Sequence, residues 1–430
     1  MARYCVIGAG AAGLSALQQL RAAGYEVECF EKTDRVGGHW HTDYDALHLI
    51  TSRDTTAFEG FPMPADYPHF PRRDQVRAYI ESYAHQHGHY EMVTFGAEVL
   101  SVDPEPAGSG PVGSAGWRVS TSRGDEGAFD GVLIANGHLW SPHIPRLPGE
   151  FTGRQVHSGK YRNVADLDGE RVLVVGAGNS GCDIAVDVAQ HRLEVDVVVR
   201  KGRHFQPKTY FGVPRAEVPF MAGFSPEEQD LINRLLARVS LGENHNYPGL
   251  PAPAAATIAG GPVTVNDLLP YWIHHGRIGI RPGVTAIAGR TVHFADGAAR
   301  DYDSIVWATG FDVALPFLDE GSIAWRDGVP VRYAGGILPE RAEKLYFIGL
   351  IAPRGPQIPV YGEQAKLVAR MIALHEQAGE RGLALANYFA ALQDPELRID
   401  VVRAVWNDQM ADTVRLLTSL QAAPAARISV

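Results

Sequence analysis

The sequence "RYCVIGAGAAGLSALQQLRAAGYEVECFE", residues 3–31, decides the fold of the region that contains it. An apolar segment leads through a G-x-G-x-x-G turn into an amphipathic segment, and a second apolar segment closes on Glu31. This order is typical of a β-α-β unit that binds a dinucleotide, because the glycines allow a tight turn, close backbone approach to a pyrophosphate and close helix–strand packing. The positive end of the helix then faces the phosphate charge.

The same pattern returns at residues 171–200, "RVLVVGAGNSGCDIAVDVAQHRLEVDVVVR". Its glycines are Gly176, Gly178 and Gly181, and again they stand between an apolar segment and a helix-like one. One such turn is weak evidence for a nucleotide site, whereas two in the correct strand–turn–helix setting are strong evidence. The sequence therefore predicts two dinucleotide sites.

The last residue of each unit distinguishes the two ligands. Glu31 can accept hydrogen bonds from the ribose hydroxyls of an adenine dinucleotide. Arg200 closes the second unit and is followed by Lys201, and cations at this point suit a ribose 2′-phosphate. We therefore expect the second site to prefer NADPH to NADH; the alternative is a solvated basic turn after a strand.

Composition and charge narrow the possible partners. A chain of 430 residues with a formal net charge of -10 does not favour nucleic acid as a partner, so small molecules are expected. The three cysteines form no C-x-x-C pair and predict small buried side chains. No apolar run reaches the roughly 18 residues of a membrane span, and the early first strand leaves no room for a signal peptide. We expect a cytoplasmic protein without a membrane anchor.

Four motifs together resemble one enzyme family. They are "GAGAAG" followed by Glu31 and "GGHW", then "FTGRQVHSGKY" at residues 151–161, "GAGNSGCDIA", and "VWATGF" at residues 306–311. The second of these fits the F-x-G-x-x-x-H-x-x-x-Y signature, so the chain resembles the class B flavin-containing monooxygenases from about residue 3 to about residue 375. The resemblance implies FAD and NADPH as cofactors, and a C4a-(hydro)peroxyflavin that delivers one oxygen atom from O₂ to a small organic substrate.

The resemblance also implies a domain organisation. An FAD-binding domain is expected from residues 1–155 and 311–430, with an NADPH-binding domain at 165–310 inserted into it and a helical insertion at 205–270. Alternating strands and helices favour a three-layer α/β fold with mainly parallel sheets. A helix is predicted at 74–88, strands around 93–103, 117–121 and 131–135, and a hairpin loop at 104–116. Ser225 and Pro226 predict a capped helix start in the insertion, which either lines the route to the active site or simply packs.

The motifs and the resemblance together imply the cofactor contacts. They are expected at Gly8, Ala9, Gly10, Ala11, Ala12, Gly13, Glu31, Gly38, His39, Trp40, Thr51, Ser52, Gly176, Gly178, Asn179, Ser180, Gly181, Arg200, Lys201, Thr309, Gly310 and Gln364.

The catalytic candidates are Thr51, Ser52 and His157. The family usually carries an asparagine at the flavin where this chain has Thr51, and a hydroxyl on a shorter arm offers fewer hydrogen bonds than an amide. Thr51 and Ser52 therefore either form the polar contact at the flavin or merely cap a turn. His157 lies between the two units and is interpreted as a hinge and hydrogen-bonding residue more than a proton-transfer catalyst.

Three functions remain open at this point. The first is oxygenation of an amine nitrogen or a sulfur, favoured by Tyr161, where type I Baeyer-Villiger enzymes usually carry tryptophan. The second is Baeyer-Villiger oxygenation of a ketone, and the third is NADPH oxidase or reductase activity without oxygen transfer. No metal site is expected, since the histidines near residue 40 are irregularly spaced. A homodimer is possible.

Overall fold

A computed structural model describes residues 2–106, 110–319, 321–378 and 383–422. Its first part is a β-α-β unit followed by further strands. The elements are β1 (Arg3–Ile7), α1 (Ala11–Ala22), β2 (Glu26–Glu31), α2 (Arg73–Gln86), β3 (Val93–Phe95), β4 (Val99–Pro104), β5 (Trp117–Thr121), β6 (Glu126–Phe129) and β7 (Gly131–Ile134).

The middle part of the chain repeats this arrangement around an insertion. The elements are β8 (Ser141–Pro142), β9 (Arg154–His157), β10 (Arg171–Val175), α3 (Asn179–Gln190), β11 (Glu194–Val198), β12 (His204–Gln206), β13 (Thr209–Tyr210), β14 (Val213–Pro214), α4 (Pro226–Leu241), β15 (Val263–Val265), α5 (Leu268–His274), β16 (Ile278–Arg281), β17 (Val284–Ala288), β18 (Thr291–Phe294), β19 (Ala299–Asp301) and β20 (Ser304–Trp307).

The last part of the chain contributes short strands and three helices within the described residues. The elements are β21 (Phe311–Asp312), β22 (Trp325–Arg326), β23 (Val329–Pro330), β24 (Arg332–Tyr333), β25 (Leu338–Pro339), β26 (Leu345–Phe347), β27 (Ala352–Pro353), α6 (Ile358–Ala378), α7 (Leu385–Leu392), β28 (Asp400–Val401) and α8 (Arg403–Ala422).

Two five-stranded sheets organise these elements, and every pairing within them is parallel. The first has the order β26-β7-β1-β2-β3 and the second the order β16-β11-β10-β20-β9. The strands of the second sheet lie in sequence between β7 and β26, which are neighbours in the first. The chain therefore leaves the first sheet, builds the second, and returns.

Both sheets are covered on their two faces in the same way. Helices pack on one face, α1 and α6 on the first sheet and α3 and α5 on the second. A three-stranded antiparallel sheet covers the other face: β4-β5-β6 on the first sheet and β17-β18-β19 on the second. The predicted three layers and parallel sheets are confirmed, but one outer layer of each unit is β rather than α. The internal repeat thus extends well beyond the glycine turns.

Local predictions can be compared with these bounds. The helix predicted at 74–88 is α2, and the predicted strands correspond to β3 with β4, to β5 and to β7. The antiparallel pairing of β4 with β5 fits the hairpin predicted at 104–116, although residues 107–109 lie outside the described residues. β9 pairs with β20 of the second sheet, ahead of residue 165, where the second domain is predicted to start.

Two further predictions concern burial. All three cysteines are free and buried, which confirms their interpretation as small apolar side chains, and burial raises the pKa of each thiol. Helix α4 begins at the predicted cap, where Ser225 forms a capping box with Glu228. It buries only Ala237 and leaves Leu231, Leu235 and Val239 exposed. These exposed side chains do not favour the alternative that the insertion only packs against the rest of the protein.

Candidate functional site

The first glycine turn is held by contacts that no larger residue could make. Gly8 has φ 99°, and a Cβ there would lie 2.8 Å from the carbonyl oxygen of Ala135. A Cβ on Gly13 would lie 1.8 Å from the carbonyl oxygen of Gly8, because α1 begins directly against β1. Gly10 caps α1 without a side-chain hydrogen bond, so the first N–H groups of the helix remain available to an anion.

The second turn has the same geometry. A Cβ on Gly181 would lie 2.0 Å from the carbonyl oxygen of Gly176. A Cβ on Gly178 would meet nothing within 4 Å, so the turn leaves open space at its middle glycine. Asn179 begins α3, and its side-chain oxygen accepts a hydrogen bond of 2.9 Å from the Val265 N–H. Both turns therefore offer a backbone cradle of the kind that holds a pyrophosphate.

Glu31 fixes the first turn from the end of β2. The carboxylate is 6% exposed and accepts hydrogen bonds of 2.8 Å from the Ala9 N–H and from the N–H and hydroxyl of Thr33. A carboxylate has about four acceptor positions, so one is left for a ligand hydroxyl. The predicted ribose contact of Glu31 stays a prediction, while its support of the glycine turn is a property of the fold.

The "GGHW" segment packs on the same turn. The Gly37 N–H donates to the Ala9 carbonyl at 3.0 Å, and a short 3₁₀ helix follows at Gly38–His41. The His39 ring lies 5.0 Å from the Trp40 ring, and its Nδ1 lies 2.5 Å from the Asp43 carboxylate. Burial opposes protonation of His39, but the charge and the hydrogen bond of Asp43 outweigh it and raise the His39 pKa.

Two cations follow β11. Arg200 and Lys201 are exposed, and among the described residues neither lies within 4.0 Å of an acidic group. Arg203 is used differently: its guanidinium donates to the Thr264 hydroxyl at 2.6 Å and to the Val263 carbonyl at 2.9 Å. Only the first two are therefore available to a phosphate.

A group of hydroxyls lies at residues 51–56. The Thr51 and Thr56 hydroxyls are 2.7 Å apart, and the Ser52 and Thr55 hydroxyls are 2.9 Å apart. The Ser52 hydroxyl also donates to the carboxylate of Glu217, which lies in the 205–270 insertion. The insertion thus reaches the segment that carries the catalytic candidates, although sequence analysis gave no sign of Glu217.

His157 is bonded to the backbone on both sides of its ring. Its Nε2 lies 2.9 Å from the carbonyl oxygen of Gly310, and its Nδ1 accepts from the Gly159 N–H at 3.1 Å. These partners place the proton on Nε2, and burial lowers the His157 pKa. Neither hydrogen bond goes to the Thr51–Ser52 segment, so this geometry fits a positioning role.

Other signature residues are also structural. Tyr161 is fully buried and donates to the Asp187 carboxylate at 2.6 Å. The Thr309 hydroxyl donates to the His143 carbonyl, beside Gly310. The segment "FTGRQVHSGKY" is therefore bonded to α3 through Tyr161 and to the segment after β20 through His157.

Gln364 is fully buried in α6. Its side-chain oxygen accepts from the Gly349 N–H at 2.9 Å, and its side-chain nitrogen donates to the Gly335 carbonyl at 3.0 Å. The amide oxygen and nitrogen each keep one further hydrogen-bonding position, so these two bonds fix the side chain without using its full capacity. Its flavin contact stays a prediction.

Two polar residues at this site escaped sequence analysis. His138 follows β7, lies 3.3 Å from the Gly349 carbonyl oxygen, and burial lowers its pKa to about 4. Asp183 in α3 accepts hydrogen bonds from Tyr44 and Asn266. The single acidic residue within the apolar run "GCDIAV" was a signal for Asp183; the sequence around His138 offered none.

The fold and the two glycine turns are typical of oxidoreductases with two dinucleotide sites. Within that class, the family described as "FMO-like: Flavin-binding monooxygenase-like" matches residues 1–378, and the chain belongs to it. The predicted resemblance is confirmed. Dimethylaniline monooxygenase [N-oxide-forming] 2 of Oryctolagus cuniculus is 32% identical over 86% of this chain and 73% of its own length. Flavin-containing monooxygenase 3 of Rattus norvegicus is 31% identical over the same shares.

Solved structures show the same fold. A flavin-containing monooxygenase from Stenotrophomonas maltophilia is 22% identical, with a TM-score of 0.66 over 87% of this chain and 99% of its own. Cyclohexanone monooxygenase from Rhodococcus sp. Phi1 bound to NADP⁺ is 19% identical, with a TM-score of 0.70 over 98% of each chain.

Family membership fixes the reaction class. The chain is a flavin-dependent monooxygenase that uses FAD, NADPH and O₂. No helix in the described part of the chain is long and apolar enough to span a bilayer. Residues 423–430 lie outside the described residues, so the expectation of a protein without a membrane anchor stays a prediction.

Proposed function

We propose that this enzyme transfers one oxygen atom from O₂ to an amine nitrogen or a sulfur of a small organic molecule. The choice rests on the 32% identity to a relative named as N-oxide-forming, over 86% of this chain. The likeness to cyclohexanone monooxygenases is structural and lies below 20% identity. In the sequence analysis, Tyr161 favoured oxygenation of nitrogen or sulfur. Because Tyr161 is buried and bonded to Asp187, it supports this choice less strongly than the identity to the relative does.

The two units would divide the cofactors. The first, with its glycine turn, Glu31 and the "GGHW" segment, would hold FAD. The second, with the open turn at Gly178 and the cations Arg200 and Lys201, would hold NADPH. FAD then supplies the redox chemistry, taking hydride from NADPH and activating O₂, while the protein orients the substrate and limits water.

The hydroxyl segment is the proposed polar contact of the flavin. Ser52 is 2% exposed and donates its hydroxyl proton to Glu217, so it would face the flavin only as an acceptor. The Thr51 hydroxyl is held by Thr56 at 2.7 Å. Thr51, which stands where the family usually carries an asparagine, offers fewer donors at the reacting centre than that longer amide. Efficient oxygen transfer would then depend on how well these short side chains exclude water.

A substrate panel tests the proposal. The FAD-loaded enzyme is mixed with NADPH, ¹⁸O₂ and a tertiary amine, a thioether or a cyclic ketone, and product mass and H₂O₂ are measured. We expect an N-oxide or sulfoxide that carries one ¹⁸O for each NADPH consumed. A labelled lactone as the main product would establish the ketone reaction instead, and one H₂O₂ per NADPH with every substrate would establish an oxidase.

A further inference from the structure

Glu217 connects the insertion to the hydroxyl segment. It ends a 3₁₀ turn at Arg215–Glu217, and its carboxylate accepts a hydrogen bond from Ser52, 165 residues earlier in the chain. Ser52 is 2% exposed, and Glu217 is half-buried. A negative charge is therefore placed directly beside the segment to which the oxygenation site is assigned.

This charge is not neutralised by the protein around it. In residues 2–106, 110–319, 321–378 and 383–422, no Lys, Arg or His nitrogen lies within 4.0 Å of the Glu217 carboxylate. The nearest cations in sequence have other partners: Lys208 lies 5.5 Å from the Phe70 ring centroid, and the Arg215 guanidinium contacts the Gln206 side chain at 3.5 Å. A carboxylate that is held by a neutral hydroxyl and has no cationic partner in the described part of the chain can form a charge-assisted pair with a cation of a ligand.

We propose that Glu217 is a specificity-determining residue that binds a cationic group of the substrate. This inference rests on the proposed function and names its substrate class: a small molecule with a permanent or protonated cation and, separately, a neutral nitrogen or sulfur. The two groups must differ, because the atom that receives oxygen needs a free lone pair. A carboxylate beside an amine stabilises its protonated form and so removes that lone pair.

Ser52 has a matching role in this arrangement. Its hydroxyl holds the carboxylate in one position while leaving the second carboxylate oxygen to a ligand. Because hydrogen bonding by a neutral hydroxyl does not cancel the charge, the site keeps its attraction for a cation.

Equilibrium binding tests the inference without turnover. The probes are choline, a quaternary ammonium that cannot be N-oxygenated, and its neutral isostere 3,3-dimethylbutan-1-ol, each titrated into the FAD-loaded enzyme with NADP⁺ by calorimetry. We expect choline to bind at least tenfold more tightly than the alcohol. Glu217→Gln keeps an acceptor for Ser52 and removes the charge, so it should abolish this difference. Glu227→Gln, an exposed site on α4, should preserve it.

Turnover then separates the two proposals. A thioether with a trimethylammonium group is compared with its uncharged analogue, and Glu217→Gln should raise KM about tenfold for the charged thioether alone, with kcat unchanged. Equal binding of choline and the alcohol by the natural enzyme would overturn the role of Glu217, even if oxygenation were observed. Charge-dependent binding with no oxygenated product would leave that role intact and refute the proposed function.

Discussion

The Tyr44 phenol donates a hydrogen bond of 2.9 Å to the carboxylate of Asp183, and so joins the segment after the first glycine turn to α3 of the second unit. The Asn266 side chain donates to the other carboxylate oxygen at 2.8 Å. Burial raises the Asp183 pKa to about 6, and the charge of Lys208 and these two hydrogen bonds offset burial only in part. A carboxyl group with a raised pKa therefore lies at the contact between the two units.

Asp183→Asn should change how stability depends on pH. The folded protein holds the Asp183 proton more tightly than the unfolded chain, so ionisation of Asp183 destabilises the fold as pH rises from about 4 to about 6. Relative to the natural enzyme, the variant should gain on the order of 2 kcal/mol of unfolding free energy between pH 4.5 and pH 7.5. Denaturant titrations at both pH values measure this, with exposed Asp54→Asn as control; a pH-independent difference would contradict it.

The second glycine turn provides a matched pair of variants. Gly178→Ala adds a methyl group where no atom lies within 4 Å, so folding and FAD content should not change. The same methyl group would block the backbone approach to a pyrophosphate, and KM for NADPH should rise at least tenfold. Gly181→Ala, 2.0 Å from the Gly176 carbonyl oxygen, should instead lower the unfolding temperature. An unchanged KM in Gly178→Ala would place the pyrophosphate elsewhere.

Arg200 and Lys201 should determine the choice between NADPH and NADH. Both are exposed after β11, where a ribose 2′-phosphate would lie if the second unit holds NADPH. The double alanine variant should raise KM for NADPH about tenfold or more and leave KM for NADH within about twofold, because only NADPH loses charge-assisted hydrogen bonds. The double variant Arg146→Ala/Arg326→Ala, which removes two exposed cations elsewhere, controls for net charge. Equal losses with both nucleotides would indicate a general effect on the fold.

The sequence predicted the parts of this fold that local patterns encode. Glycine spacing, alternation and the cap at Ser225 identified both β-α-β units, α2 and α4. Pairings between distant segments left no such pattern. β9 joins β20 across about 150 residues, and each antiparallel layer is made of short strands whose partner face cannot be read from their own sequence.

The site follows the same division. Gly13 and Glu31 could be predicted because each belongs to a motif whose spacing fixes the local structure around it. Glu217 lies in a segment without a motif, and its partner Ser52 is 165 residues away. The contacts of His138 with Gly349 and of Tyr44 with Asp183 in α3 join segments that are far apart in the sequence, so no local pattern predicts them.

His157 should act by position rather than by proton transfer. His157→Leu removes both ring hydrogen bonds, and the orphaned Gly310 and Gly159 backbone groups should cost about 1–3 kcal/mol of stability. We expect kcat to fall less than tenfold, and the limbs of its pH profile to stay in place, because burial lowers the His157 pKa and keeps the ring neutral. A loss above a hundredfold together with a missing limb would instead identify a proton-transfer catalyst.

Thr51 should control how much oxygen reaches the substrate. Thr51→Val removes its hydroxyl and its 2.7 Å contact with Thr56, while the side-chain volume hardly changes. If the hydroxyl contacts the flavin, H₂O₂ released per NADPH should rise several-fold and product should fall in proportion. Thr56→Val breaks the same hydroxyl pair but keeps the Thr51 hydroxyl, so it should leave the coupling near that of the natural enzyme. Equal H₂O₂ yields from the two variants would assign Thr51 to the turn, whereas an effect confined to Thr51→Val would assign it to the reacting centre.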